Sequence, residues 1–172
     1  TETTISGSVQ FFDTGSDTAA ATPATLTLTD GQVGSSFTYS IPARSSKRFQ
    51  TSNPAALSQG SVRVVRDSGS SSASGLVVFS YATGALTTTE AGVPASPASA
   101  AFRMYADVQG VPGAIGSIRS GVAISNTSTV ATTANFELTT LAGVTTGLTA
   151  SATIPGSGHI AKFVDELFPT LG

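Results

Sequence analysis

The sequence predicts an all-β fold: an antiparallel β-sandwich built from two related halves, with one short helical turn near the C-terminus. Short segments in which apolar and polar residues alternate recur about every ten residues, which is typical of strands with one wet face. Turn residues separate these segments, and a single segment near the end of the chain has helical spacing. The third observation is an internal repeat of about fifty residues.

The repeat relates residues 6–54 to residues 120–169. Each copy begins with small residues and valine, and a threonine- and leucine-containing strand then leads to a turn glycine. An Ile-Pro pair, a polar turn, a cation and a phenylalanine follow in both copies. The matching positions are Gly31 and Gly143, Ile41-Pro42 and Ile154-Pro155, and Lys47-Arg48-Phe49 and Lys162-Phe163.

The repeat predicts two halves or domains, 1–95 and 96–172, joined by the Pro-containing stretch 91–99. After the repeated part, the first half continues with strand patterns at 60–66 and 75–81, and the second half has nothing comparable. An unpaired strand edge invites pairing. We therefore expect either that the halves share their sheets or that a neighbouring chain supplies the missing strands.

The first strands are predicted from their two-residue period. Val9 and Phe11 alternate with neighbours on the opposite face, and Leu26 and Leu28 alternate with threonines, which indicates a half-buried strand. Asp30-Gly31 supplies the turn that follows. Further strands are predicted at 37–41, 62–66, 122–124, 136–138 and around 154, with loops at 67–74 and 108–116.

Three other segments have distinct patterns. The continuous apolar run 76–79 predicts a central strand, and the alternation of residues 102–107 predicts another strand. In residues 163–168, Phe163 and Leu167 lie four positions apart, as do Val164 and Phe168, which predicts one helical turn that ends at Pro169.

Composition indicates a secreted protein. The chain of 172 residues has no cysteine, which excludes disulfides and thiolate metal sites. Only 10% of its residues are charged, and serine and threonine take their place, as is common in extracellular β proteins. The net charge of −2 gives no reason to expect nucleic acid or an anionic membrane as a partner. There is no apolar run of 18 residues, and a start at Thr1 suggests a processed N-terminus.

No residue pattern predicts catalysis, so we expect a protein that is not an enzyme and has no catalytic or cofactor-binding residues. His159 follows Ser157, but no Gly-x-Ser-x-Gly elbow is present, and the segment aligns with the histidine-free turn 43–46. We therefore expect His159 to be an exposed turn residue. Asp165 and Glu166 are expected to act as helix-capping or dipole partners instead of an acid/base pair.

No metal site is predicted either. Residues 13–17, Asp-Thr-Gly-Ser-Asp, resemble the start of a calcium loop, but the twelfth position is Ala24, where a bidentate glutamate is needed. A glycine-containing turn between strands explains the segment better. A lone histidine with no cysteine makes zinc improbable.

The remaining polar candidates have ordinary alternatives. Arg44, Lys47 and Arg48 would cluster with Arg63 and Arg66 if their strands paired. The cluster would form either an anion or glycan contact or, as we expect, a solvated edge that resists wrong pairing.

Three further candidates concern glycans and covalent cross-links. The only flat polar aromatics are Tyr39, Tyr81 and Tyr105, which gives weak support to sugar binding. Asn126-Thr127-Ser128 fits a glycosylation sequon, a pattern that is common by chance. An isopeptide bond would need a buried lysine beside an asparagine; the possible partners are Lys47 or Lys162 with Asn53, Asn126 or Asn135.

An ordered series of motifs carries a resemblance to a known kind of protein. The series is Gly60-Ser-Val-Arg-Val64, Ser74-Gly-Leu-Val-Val-Phe-Ser-Tyr81, Glu90-Ala-Gly-Val-Pro-Ala95, Phe102-Arg-Met-Tyr105, Gly121-Val-Ala-Ile-Ser-Asn126 and Ala161-Lys-Phe-Val-Asp-Glu-Leu-Phe-Pro169. It resembles the repeated β-rich modules of large secreted proteins from soil bacteria. That family has no assigned activity, and the resemblance implies secretion, a β-sandwich, tandem or polymeric use, and more strand sequence after Pro169.

Together these patterns predict a non-enzymatic structural or adhesive subunit of a bacterial surface fibre, filament or layer. The expected partner is the protein itself, through sheet edges or through a terminal segment such as residues 1–13 added to an open edge. The alternative is a glycan- or ligand-binding module of a larger secreted protein, with a surface glycan as its partner.

Overall fold

A computed structural model describes residues 2–16, 18–52, 59–83, 86–111 and 113–171. The predicted all-β antiparallel fold with one short helix near the C-terminus is confirmed. The strands are β1 Ile5–Phe12, β2 Leu26–Thr27, β3 Val33–Gly34, β4 Ser36–Ile41, β5 Ser61–Arg66, β6 Leu76–Thr83, β7 Leu86–Pro94, β8 Val108–Gln109, β9 Ile118–Arg119, β10 Gly121–Ser125, β11 Thr132–Thr139, β12 Thr145–Ile154 and β13 His159–Phe163. The helix α1 is Val164–Leu167, and a 3₁₀ turn, Pro169–Leu171, follows it.

The chain forms two compact units. The first contains Thr1–Gln10, Leu26–Ser52 and Val62–Ala101, and the second contains Phe11–Thr25, Asn53–Ser61 and Phe102–Gly172. The units interleave along the sequence, so their boundaries differ from those of the predicted halves 1–95 and 96–172.

The first unit is organised around a three-stranded sheet with the order β4-β1-β5. In the antiparallel β1–β4 pair, Ile5 lies opposite Ile41 and Val9 lies opposite Phe37. The core of this unit includes Ile5, Leu28, Phe37 and Tyr39, which are 3–7% exposed. Because β1 is the middle strand of this sheet, it pairs on both sides within its own chain and is not an unpaired segment of the kind predicted for donation to a neighbour.

The second unit contains the ladders β10–β13, β11–β12 and β8–β9. Its buried apolar residues include Val122, Ile154, Val164 and Phe168. The helical turn forms as predicted, and it buries Val164 and Phe168 because these residues lie on one side of a single turn. Pro169 does not end the helical structure, since it begins the 3₁₀ turn.

The two sequence copies share a hairpin turn. In the first copy, Leu28 donates its N–H to Gln32 O, and Gly31 donates to Leu28 O, with Gly31 at φ 87°. In the second copy the same bonds join Thr140 to Val144 and Gly143 to Thr140, with Gly143 at φ 80°. Three-residue hairpin loops of this kind place glycine in the left-handed region, where a β-carbon would be strained.

The copies also share the turn that follows their Ile-Pro pairs. Ser45 N–H donates to Pro42 O in the first copy, and Gly158 N–H donates to Pro155 O in the second. The third residue of each turn has a positive φ although neither is glycine: Arg44 has 59° and Ser157 has 57°. The duplicated sequence therefore encodes two duplicated turns.

The strand partners of the two copies differ. In the first copy the opening strand β1 pairs with β4, which precedes the Ile-Pro turn. In the second copy the opening strand β10 pairs with β13, which follows that turn. The repeat therefore predicts local structure correctly and does not specify a common pairing.

The sequence predictions about strands are wrong at several places. Residues 108–109, predicted to be part of a loop, form β8. Residues 102–106 form no strand, because no neighbouring segment pairs with them. The stretch 91–99 was predicted to be a connection, but residues 91–94 belong to β7, which pairs with β6 from Leu86 to Pro94. Strand pairing therefore includes residues 91–94, the first part of the stretch that was predicted to connect the two halves.

Candidate assembly surface

The β6–β7 hairpin, which we term the ribbon, is the most apolar exposed element of the first unit. It is a two-stranded sheet in which Val77 lies opposite Val93 and Phe79 lies opposite Ala91. Leu76 and Val78 are 65% and 54% exposed, and Phe79 and Val93 are 60% and 53% exposed. The sequence prediction of a central strand at 76–79 is therefore wrong for the isolated chain, because within the described residues β6 pairs with β7 alone and three of its apolar residues are more than half exposed.

Exposed apolar residues also occur elsewhere in the described chain. In the first unit Val62, Val64 and Val65 of β5 are exposed, and in the second unit Phe102, Met104 and Tyr105 are exposed. The latter three lie in the segment that has a strand pattern but no partner. Monomeric proteins seldom leave long contiguous apolar segments in water, and such segments mark interaction surfaces.

The small core agrees with this interpretation. None of the described side chains is fully buried, so the core of the isolated chain is small for its length.

His159 is not the exposed turn residue that the sequence predicted. It is the first residue of β13 and is 8% exposed. Its burial follows from the loop that contains Thr14 and Ala21. Ala21 N–H donates to Gly156 O at 2.8 Å, and His159 N–H donates to Thr14 O at 3.4 Å. This loop covers the turn at 155–158, and the corresponding turn of the first copy remains exposed.

The His159 ring is buried. Burial lowers the pKa of His159 because desolvation disfavours the imidazolium. Its Nδ1 accepts no hydrogen bond within the described part of the chain. Ser157 is also buried, and its N–H donates to Ser128 O at 2.7 Å, so it serves the turn. The two side chains have no hydrogen bond that would make a nucleophile and base.

Glu166 caps α1, as the sequence predicted, and Asp165 forms an ion pair with Arg119. Arg119 donates to both Asp165 oxygens, from Nη2 at 2.8 Å and from Nε at 3.0 and 3.2 Å. Its guanidinium also lies 3.8 Å from the Phe163 ring centroid. The hydrogen bonds from Arg119 lower the pKa of Asp165. Glu166 Oε2 accepts the Phe163 N–H at 2.7 Å, which caps the helix.

The segment that resembles a calcium loop is the predicted turn. Asp13 accepts hydrogen bonds from Gly15 N–H, Thr22 N–H and the Thr22 hydroxyl, at 3.1, 2.8 and 2.7 Å. The Thr22 hydroxyl has the largest effect in lowering the pKa of Asp13. Gly15 has φ 72°, which favours glycine at that position. Asp17, the other carboxylate of the resemblance, lies outside the described residues.

The strand pairing on which the predicted cationic cluster depended is not found among the described residues. Arg44 lies in a turn and pairs with Glu2 at 2.9 Å, and residues 44–48 form no strand. Strand β5, which contains Arg63 and Arg66, pairs instead with β1. A shallow groove of about 220 Å³ lies beside the segment, and Lys47 Nζ lies 5.7 Å from the Phe49 ring centroid. The groove is lined by Leu28, Thr29, Asp30, Arg48, Phe49 and Gln50.

Asn126 is a buried structural residue and not a glycosylation site in the folded chain. Its Nδ2 donates to Val130 O, Ile154 O and Pro155 O at 2.8, 3.4 and 3.2 Å. Its Oδ1 accepts the Ser128 N–H at 2.9 Å. The side chain thus joins the loop after β10 to the end of β12.

The remaining candidates also lack the required surroundings. Lys47 and Lys162 are exposed, so neither provides the buried lysine that an isopeptide bond needs, and Asn53 lies outside the described residues. Among the tyrosines, Tyr39 is buried, Tyr105 is exposed, and the Tyr81 side chain lies outside the described part. A broader depression of about 650 Å³ lies on the β11–β12 hairpin, lined by backbone and side chains of 135–137 and 149–151.

Comparison of the chain with protein families, curated proteins and solved structures finds no match. Within the described residues, no helix has the length and apolar character needed to cross a bilayer. The exposed apolar strands are the observation in this structure that bears most directly on function.

Proposed function

We propose that the protein is a non-enzymatic structural subunit that self-associates through exposed apolar strands in an extracellular fibre, filament or layer. The observation that carries this proposal is the ribbon. Four of its large apolar residues are more than half exposed on a two-stranded sheet. Isolated two-stranded hairpins are marginally stable in water, and a third strand or a packed face stabilises them.

The small core supports the same proposal, because none of the described side chains is fully buried and large apolar residues are exposed in both units. A repeating subunit needs at least two contacts, because each copy must touch a copy on either side.

Secretion is proposed from composition. Charged residues are 10% of the chain, and serine, threonine and glycine supply much of its polar surface. Such a surface suits a protein that is held in an assembly, where a high net charge would cause repulsion between copies.

The experiment is electron microscopy of the concentrated protein, with sedimentation velocity over a hundredfold range of concentration. We expect larger species to form as the concentration rises. The double variant Phe79→Thr/Val93→Thr should shift association to higher concentration. Leu141→Thr, at an exposed hairpin tip outside the ribbon, serves as the control. A protein that remains a monomer throughout would contradict the proposal.

The alternative, a glycan-binding module, has one observation in its favour. Phe102 and Tyr105 expose 61% and 67% of their surface close together in sequence, and exposed aromatic rings can stack on sugars. A glycan array with the Tyr105→Ala variant as control tests it. Binding that disappears in the variant would favour this alternative over self-association.

A further inference from the structure

The two edges of the ribbon differ in their capacity to pair. Ala95 N–H donates to Gly75 O at 2.8 Å, and these residues lie directly opposite each other in the register that pairs Leu76 with Pro94. In an antiparallel ladder, hydrogen-bonded and non-hydrogen-bonded pairs alternate. The backbone groups of Val77 and Phe79 therefore face β7, and those of the intervening residues, Leu76, Val78 and Ser80, face outward.

The outward groups of β7 come from Glu90, Gly92 and Pro94, which lie opposite Ser80, Val78 and Leu76. Pro94 has no N–H to donate, Glu90 places a charge on the edge, and Gly92 has a low strand propensity. Proline and charge are the devices by which natural sheets protect an edge. Strand β6 has neither, since residues 76–83 contain no charge and no proline.

We propose that β6 is the pairing edge, and that it pairs antiparallel with β6 of a second copy with Val78 opposite Val78 of that copy. The inference rests on the proposed self-association and specifies its contact. In this register the three outward residues of one copy pair with those of the other copy. Leu76 lies opposite Ser80, and Val78 lies opposite Val78. The result is a continuous four-stranded sheet, β7-β6-β6-β7, with a twofold axis at Val78.

A second copy suits this edge better than a charged partner does. Self-pairing places no like charges opposite each other, because residues 76–83 are uncharged. The apolar residues Val77 and Phe79 would continue one apolar face across the axis, since Val77 of each copy would lie opposite Phe79 of the other. Cross-strand pairs of aromatic and β-branched residues stabilise sheets.

The test uses opposite charges at the axis. In Val78→Glu or Val78→Lys alone, two like charges would face each other, and we expect the dissociation constant to rise at least about tenfold. An equimolar mixture of the two variants should restore association, because glutamate then faces lysine. Sedimentation velocity at low ionic strength measures both effects.

The matched controls are Gly92→Glu and Gly92→Lys. Gly92 lies directly opposite Val78 in the same hairpin, so the charge stands on the same face but at the β7 edge. We expect little change in association for these variants. If association weakened as much as in the Val78 variants, the contact would be made by the face of the ribbon and not by the β6 edge.

Amide hydrogen exchange supplies a readout that does not depend on the variants folding. In concentrated wild-type protein, the amides of Val78 and Ser80 should become protected, and that of Gly92 should not. Rapid exchange at Val78 in the associated protein, or a mixture that fails to restore association, would overturn the β6 pairing. Wild-type association would persist in either case. A wild-type protein that never associates would instead overturn the proposed function itself.

Discussion

Tyr39 lies directly opposite Gly7 in the β1–β4 ladder, and its ring occupies the space beside the glycine where a side chain would stand. A β-carbon at position 7 would lie 2.8 Å from Tyr39 Cζ and closer still to the carbonyl oxygen of Val65. Glycine lacks a side chain with which to pack, and an aromatic residue across the strand compensates for this. Tyr39 and Ile5 are both among the buried residues of the first unit.

Gly7→Ala should therefore destabilise the protein by about 1–3 kcal/mol, since the added methyl group must displace backbone or the tyrosine ring. Gly34→Ala is the control, because a β-carbon there has no atom within 3.8 Å. Chemical denaturation measures the free energy of unfolding of both variants. Equal effects at the two positions would show that close approach at Gly7 is not the cause.

Asn126→Ala should cost about 2 kcal/mol or more, because the buried carbonyls of Ile154 and Pro155 lose a donor. Asn135 provides the matched control, since it is exposed on β11. Asn135→Ala should change stability by less than about 0.5 kcal/mol. If thermal or urea unfolding shows no difference between the two alanine variants, the Asn126 bonds contribute little.

His159 should make stability depend on pH in the range where no other side chain of the protein has its ordinary pKa. Burial lowers the folded-state pKa of His159 below 6.5, so the unfolded chain binds the proton more readily. Stability is then fully present above about pH 6.5 and is lost as the pH falls through the lowered folded pKa. The slope cannot exceed about 1.4 kcal/mol per pH unit, the value for one proton.

Urea unfolding of wild-type protein and His159→Gln between pH 7.5 and 5.5 checks this expectation. The variant should show a flatter dependence, because it has no imidazole to protonate. His159 is the single histidine, which makes the comparison direct. A slope that persists unchanged in the variant would locate the titrating group elsewhere.

The positive φ of Arg44 predicts which residues its position accepts. Arg44→Val should be destabilising by about 1–2 kcal/mol, since a β-branched residue is strained in the left-handed region. Arg44→Asn should be nearly neutral, because asparagine tolerates that conformation and the exposed pair with Glu2 contributes little. Thermal unfolding compares the two variants; a valine variant as stable as the asparagine variant would contradict the assigned backbone conformation.

The local turns of this protein could be predicted from the sequence, but which strands pair with each other could not. The turns at Gly31 and Gly143 depend on a few neighbouring residues, so the repeat placed them correctly. The alternation of apolar and polar residues indicates that a segment can form a strand. Whether it does so depends on pairing with segments that are distant in the sequence. Residues 102–106 have a strand pattern and no partner.

The same limit applies to the polar residues. His159 was predicted to be exposed because its counterpart turn in the first copy offered no reason for burial. Its cover comes from the loop around Thr14 and Ala21, more than a hundred residues away in sequence. The capping role of Glu166 was predictable, because helix capping is a local interaction. The pairing of Asp165 with Arg119 was not, because the two residues are 46 positions apart in the sequence.

Because Pro94 has no N–H, the ribbon pairs readily through only one of its two edges. A ribbon with one pairing edge joins only one other copy, so this contact by itself gives a dimer and ends a chain of copies instead of extending it. Propagation of a fibre would then have to use a chemically different contact. The length of a fibre and the pairing of two copies would be set by separate residues, and replacing Pro94 by a residue with an N–H would remove one of the three features that protect the β7 edge.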